Sequence, residues 1–272
     1  MPFKQDWTRC RKLTEQALDA RLPPVDLPPQ SLHEAMRYAT LNGGKRFRAT
    51  LAIMTGEMLG VETELLLPSA VAVECVHAFS LVHDDLPCMD DDDFRRGKLS
   101  CHAVYGEAMG VLVGDALHSL AMEILAKDES LVHFQHKTGQ LVAALAEAAG
   151  STGMIGGQVL DIELTDSDGS IDLHTVFQLK TAKLIQGAVK LGALMCDDLD
   201  ARDYEALCEY GEAVGLAFQY VDDHLDGEHL GENLLDKAVG FRDQAISALQ
   251  RLNGTDSSNL VQAANFVVER KY

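Results

Sequence analysis

The stretch from Ser69 to Arg96 reads SAVAVECVHAFSLVHDDLPCMDDDDFRR. Its first part continues an apolar run from Leu65 to Val82, which contains Pro68, Glu74 and His77. A run this long, with no alternation of period two, reads as a helix buried in a core. Pro68 and Ser69 are expected to open that helix. The acidic residues that follow decide what it is for. Six carboxylates fall between Asp84 and Asp93, and Arg95 and Arg96 come directly after. Two like charges 4 Å apart repel by about 1 kcal/mol in water and about 4 kcal/mol at an effective dielectric near 20. Such a run is either a solvated acidic loop or a seat for divalent cations. Ending a buried helix favours the seat, and oxygen-only clusters suit hard ions, above all Mg²⁺ shared with phosphate groups.

The rest of the chain sets the limits. Its 272 residues are 47% hydrophobic but only 6% aromatic, with long Ala/Leu/Glu-rich segments, so an all-α fold is expected. The net charge of −19 argues against a nucleic-acid partner, because phosphate backbones require a basic surface. Small phosphorylated ligands stay compatible if metal ions and local cations reverse the field. Six scattered cysteines without zinc spacing, and no apolar signal region after Met1, point to reduced thiols and a cytoplasmic location. The Leu65–Val82 run carries charges within it and directly after it, so no membrane span is expected.

Helices are expected over residues 1–21, Ser31–Leu41 with Ser31 as cap, Phe47–Leu59 ended by Gly60, and then the long helix to Asp85. Gly106–Ala126 and Gly139–Ala149 follow, and Gly150–Gly157 is expected to break the pattern. A turn is expected over Thr165–Gly169, and Asp172 caps a helix running through Lys180 to Met195. Asp203–Asp226, Gly231–Leu252 and Asn259–Lys271 complete the set. No strand, repeat or interdomain linker is expected. One domain over residues 1–272, a bundle of ten or more helices around a central substrate cavity, is the reading.

A second acidic group lies at Gln219, Asp222, Asp223 and Asp226, spaced i, i+3, i+4 and i+7, which a helix places on one stripe. Ala213 to Val221 before it is nearly uncharged, so these carboxylates close a buried helix and require partners. His77 and Asp84 are seven residues apart, two turns on one face. Two such helices facing each other can share Mg²⁺ ions and bind a diphosphate. Cations for it are available in Lys45, Arg48, Arg95, Arg96 and Lys180, and Gly43-Gly44 permits close backbone approach.

These residues resemble the trans-prenyl diphosphate synthases, most closely the bacterial farnesyl diphosphate synthases, over nearly the whole chain. Gly43-Gly44-Lys45-Arg46-Phe47-Arg48 looks like the family's GGKRxR element, with Ala49 where a proline is usual. Asp84, Asp85 and Asp90 match the first aspartate motif in its DDxxxxD form, followed by Arg95-Arg96. Gly156-Gly157-Gln158 with Asp161 is similar to GGQxxD, Lys180-Thr181 to the KT pair, and Gln219, Asp222, Asp223 and Asp226 to QxxDDxxD.

The resemblance implies a head-to-tail condensation. Three Mg²⁺ ions on the two aspartate motifs would bind an allylic diphosphate, with Arg95, Lys180 and Gln219 in contact. Gly44, Lys45, Arg48, His77 and Arg96 would hold isopentenyl diphosphate, and Lys180 and Thr181 would face the developing allylic cation. Phe79 and Ser80 would limit product length, the aromatic five residues before Asp84 being the pattern for a fifteen-carbon stop. The resemblance also implies a homodimer. A geranylgeranyl diphosphate synthase and a non-catalytic subunit of a prenyl synthase are the alternatives. One departure stands out: the family's lysine-bearing KxxGxD loop has no counterpart, since Asp226 runs through Gly227-Glu228-His229 into the next helix. Either the loop is absent or only ordered residues have been counted. The second is the expectation, because the flanking segments match and such loops order on ligand binding.

Overall fold

The computed structural model describes residues 3–166, 171–227 and 233–270. The chain opens with α1 (Phe3–Arg21), α2 (Gln30–Thr40), α3 (Phe47–Met58) and the long α4 (Thr63–Asp84). After the acidic segment come α5 (Cys101–Tyr105), α6 (Glu107–Lys127), a 3₁₀ segment (Glu129–Lys137), α7 (Thr138–Ala149) and α8 (Met154–Asp166). The second half holds α9 (Leu173–Phe177), which passes through one π turn (Gln178–Ala182) into α10 (Lys183–Leu194), then α11 (Ala201–Asp226), α12 (Leu234–Leu249) and α13 (Ser258–Glu269). The architecture is the expected helical bundle.

Helix α4 is its axis. Helices α1, α3, α6 and α10 pack around it, and Leu66, Ala70, Val73 and Val76 are wholly buried. Each fully buried Val or Leu contributes about 1.5–3 kcal/mol, so this one helix anchors the core. Helix α11 lies between α10 and α12 and carries the second acidic stripe to the same end of the bundle. Helices α4 and α6 are both long and apolar enough to cross a membrane. Most of α4 is buried in the protein, whereas α6 leaves Val111 and Leu112 exposed.

Local chemistry explains several ends. Asp172 caps α9 by accepting from the backbone N–H groups of His174 and Thr175, and Gly60 (φ +83°) stops the chain after α3. Four expectations differ. Helix α2 starts at Gln30 behind Pro29, and Ser31 caps nothing. Helix α4 starts at Thr63, so Pro68 lies inside it and forfeits one backbone bond. The break expected over Gly150–Gly157 is confined to residues 150–153; Gly156 and Gly157 sit within α8, Gly157 for a packing reason given below. A two-residue antiparallel ladder pairs Phe94 with Leu99 and Arg95 with Lys98, too short to leave a periodic signal. Thr165 and Asp166 still belong to α8, while the rest of the turn expected to Gly169, and the helix ends expected at Gly231 and Lys271, lie outside the described residues.

Candidate active site

Two adjoining cavities lie at the end of the bundle where α4 and α11 carry their acidic groups. The first, about 570 Å³, is lined by Gly44, Lys45, Arg46, Arg48, His77 and Arg96, with Arg11, Asn42, Phe47, Glu74 and Phe218. The second, about 520 Å³, is lined by Asp84, Asp222, Lys180, Thr181 and Gln219 at its polar end and by Phe79, Met154, Ile155 and Val159 along an apolar one. Arg48, His77 and Phe218 face both. The structure therefore brings together residues 45, 48, 77, 84, 96, 180, 181, 219 and 222 from across the chain.

The basic cavity is built by a strained turn. Gly43 (φ +77°), Gly44 (φ +121°) and Arg46 (φ +50°) all occupy the left-handed region. At Gly44 a Cβ would come within 2.7 Å of the Arg96 guanidinium, which itself donates to the Gly43 carbonyl. Glycine is favoured there by its φ, while the arginine side chain fills the space a Cβ would take. Burial lowers Arg48 to about 10. It also holds His77 well below the ordinary histidine range, with Arg48 and Arg96 adding repulsion. His77 is thus neutral at pH 7. Arg48 Nε has no hydrogen-bond partner among the described residues. Such a pocket suits an anion.

At the second cavity, burial pushes the Asp84 carboxyl up to about 6, with Lys180 opposing and Asp90 reinforcing the shift. Asp222 is also raised by burial, with Arg270, Lys45 and Arg48 opposing. Half-buried carboxyls facing one cavity with this shift are a fit for a hard divalent cation, which would favour their charged form. Asp85 faces elsewhere: it is 3% exposed and accepts from Arg95 Nε at 2.9 Å. Arg95 reaches on to Asp92 at 3.3 Å, so in this structure it serves the loop itself. Asp90 is exposed, and its backbone N–H returns to the Asp84 carbonyl at 2.8 Å, folding the loop back over the helix end. On α11, Thr181 Oγ1 donates to Gln219 Oε1 (2.6 Å) and Gln219 Nε2 donates to Asp223 Oδ1 (2.6 Å). Asp223 is buried and Asp226 exposed.

Lys180 and Thr181 owe their position to the π turn, a feature that widens a helix by one residue and is frequent at functional sites. A Cβ on Gly157 would lie 2.1 Å from the Lys180 backbone nitrogen, and one on Gly215 would lie 2.5 Å from the Ala182 Cα. The turn is gripped between α8 and α11 at these two glycines. The Lys180 ammonium then pairs with Asp161.

Several site residues carry no readable signal in the sequence. Arg270 is buried, donates to Asp222 Oδ1 and the Phe218 carbonyl at 2.7 Å each, and lies 3.8 Å over the Phe218 ring. Arg11, Phe218 and Glu74 are equally unmarked, because their roles depend on partners far away in sequence. Phe79 is wedged edge-on between His83 (5.6 Å) and His118 (5.2 Å), and Ser80 Oγ donates back to the His77 carbonyl.

The paired acidic helices and the basic turn define a class, and residues 29–244 match the polyprenyl synthetase family. The chain belongs to that family. It is 37% identical to the farnesyl diphosphate synthase of Escherichia coli (strain K12), with 99% of each chain covered. It is 43% identical to the chloroplastic heterodimeric geranylgeranyl pyrophosphate synthase large subunit 1 of Arabidopsis thaliana, over 96% of this chain and 77% of that one. Among solved structures, an FPP/GFPP synthase from Zymomonas mobilis superposes with a TM-score of 0.91 at 36% identity, with 98% of each chain covered.

The alignment with the E. coli enzyme spans 297 positions, more than the 272 residues of this chain, and both chains are covered almost end to end. Residues present in that enzyme are therefore missing from the interior of this one. The full sequence is continuous from Asp226 to Asn233, so the expectation of an uncounted lysine loop fails: that loop is absent after the second motif. Residues 228–232, which join the flanking helices, lie outside the described residues.

Proposed function

We propose that this chain is a Mg²⁺-dependent farnesyl diphosphate synthase, one polyprenyl synthase domain over residues 1–272. One observation carries the reading: an acidic cavity bearing Asp84, Asp222 and Lys180 opens directly onto a cationic one bearing Lys45, Arg48 and Arg96. Two diphosphates, one held through metal and one through guanidinium groups, fit that pair. Asp84, Asp85 and Asp90 with Asp222, Asp223 and Asp226 would hold the metal, expected as three ions. When bound, Mg²⁺ supplies Lewis-acid stabilisation of the leaving diphosphate.

The chain's own residues do the rest. Gly44, Lys45, Arg48, His77 and Arg96 bind the isopentenyl diphosphate and hold its double bond towards the second cavity. Lys180 and Gln219 orient the allylic diphosphate, and Arg95, held by Asp85 in this structure, would be a further contact. As the allylic C–O bond breaks, the Thr181 hydroxyl oxygen and the Lys180 backbone carbonyl place negative dipole beside the developing cation. The isopentenyl double bond then attacks that carbon, and the proton it loses passes to the released diphosphate. Met154, Ile155 and Val159 line the apolar side of the second cavity, where the growing chain would lie.

Phe79 across the apolar end supports a fifteen-carbon product. A geranylgeranyl product is the second reading, favoured by the identity with the Arabidopsis subunit. A homodimer is the expected assembly, with Val111 and Leu112 on the face it would cover. Six free cysteines accord with a cytoplasmic location. Incubation with isopentenyl and geranyl diphosphates, with and without Mg²⁺, tests the proposal by product mass. Fifteen-carbon product only with metal is expected, and no condensation in either arm overturns it.

A further inference from the structure

Resting on the reading of the basic cavity as the isopentenyl diphosphate site, we infer that Glu74 is its positioning residue. On this inference Glu74 holds the Gly43–Arg48 turn in register with α4 through a buried bond to Arg46 and a cap on α3. Glu74 and Arg46 have side chains each 3% exposed, with Arg46 Nη1 donating to Glu74 Oε2 at 3.2 Å. Arg46 Nη2 also donates to the Thr40 carbonyl at 2.8 Å, at the end of α2. The other Glu74 oxygen accepts from the Ala49 backbone N–H at 3.3 Å. Ala49 lies three residues past Arg46, the residue preceding α3, so its N–H is among those a helix cannot satisfy itself. A side chain from α4 does the work usually done by a local cap.

Arg46 has a left-handed φ of +50°, uncommon for a residue with a side chain. Strain of this kind persists only where the surroundings over-determine it, and Glu74 with the Thr40 carbonyl does so. The turn then has one course, with Lys45 and Arg48 on either side of the pinned arginine. Glu74 and His77 are three residues apart on α4, so the residue that pins the turn shares a helix face with one that lines the cavity.

Charge and geometry make opposite predictions for Glu74→Gln. The substitution removes an anion beside a cationic cavity, so electrostatics alone tightens diphosphate binding. Loss of the pin loosens it. The expected result is a KM for isopentenyl diphosphate raised about tenfold or more with kcat within about threefold, the scale at which small misplacements act. Affinity for inorganic pyrophosphate, read by calorimetry, falls in parallel. Unchanged or tighter binding in folded Glu74→Gln overturns the role. If that variant does not fold, the double variant Arg46→Met with Glu74→Leu exchanges the pair for apolar volume, a swap that buried ion pairs tolerate. It is expected to fold and show the same KM increase, and wild-type KM in it overturns the role. A wild-type protein that binds neither pyrophosphate nor isopentenyl diphosphate overturns the site reading and the role of Glu74 with it. Wild-type binding with an unaltered variant overturns the role alone.

Discussion

Replacing Phe79 with alanine should lengthen the product. The ring is 7% exposed and held between His83 and His118 at the apolar end of the substrate cavity. Its removal exposes the layer one turn back on α4, where Cys75 and Val76 are wholly buried. That adds about 5.4 Å of depth, close to the reach of one more isoprene unit. Filling the space with such a unit, at about 0.8 kcal/mol per buried carbon group, returns about 4 kcal/mol, nearly three powers of ten in preference for the longer chain. Truncation of a buried Phe costs about 3–5 kcal/mol of stability, so Tm should fall by roughly 10 °C. The assay is incubation with isopentenyl and farnesyl diphosphates, followed by chromatography of the dephosphorylated alcohols. A folded variant that still stops at fifteen carbons refutes the reasoning, and the stop then lies elsewhere in the cavity wall.

Gly157→Ala should cut kcat by about a hundredfold by pushing α8 off the π turn and moving Lys180, since the new Cβ meets backbone at 2.1 Å; Gly139→Ala, with nothing within 4 Å, is the neutral control. Circular dichroism separates misfolding from misplacement. Asp222→Asn should lower activity by about a hundredfold or more, because several kcal/mol of charge stabilisation go with the metal seat, and the Mg²⁺ concentration for half-maximal rate should rise; an unchanged metal response removes Asp222 from that seat. His77, held neutral, gives a pH signature. Its folded pKa is depressed, so below about 6.5 the unfolded chain takes up a proton that the folded one refuses, and stability falls by up to about 1.4 kcal/mol per pH unit. Denaturation of wild type and His77→Gln between pH 7.5 and about 5 should show the variant losing less on acidification, and parallel curves would show that His77 does not titrate as described.

The helices were legible because their determinants are local. Asp172 caps α9 with its own side chain, and Gly60 ends the turn after α3 by its own φ. The acidic stripe on α11 was legible because i, i+3, i+4 spacing is a property of any helix. What escaped is what two distant segments decide together. The π turn follows from Gly157 and Gly215 meeting residues 180 and 182, and glycines read in isolation suggest a break. Asp85 reads as an equal partner of Asp84, yet as the residue just past the α4 end it points away to Arg95.

The absent lysine loop and Arg270 belong to the same question of charge. Asp222 and Asp226 repel each other, and burial makes Asp222 costly to ionise. A carboxylate so placed needs a cation at all times, not only when metal is bound. Three positive groups favour its charge here, Arg270 first, then Lys45 and Arg48. Lys45 and Arg48 line the basic cavity and, on the proposed reading, are committed to a diphosphate once substrate binds. Arg270 is not, because its guanidinium is fixed on the Phe218 ring and carbonyl. The arginine therefore offers Asp222 a standing counter-charge, and Phe218, which faces both cavities, carries the contact. In a chain without a cationic loop after Asp226, the resting counter-charge comes from the far end of the sequence, 48 residues beyond the aspartate it serves.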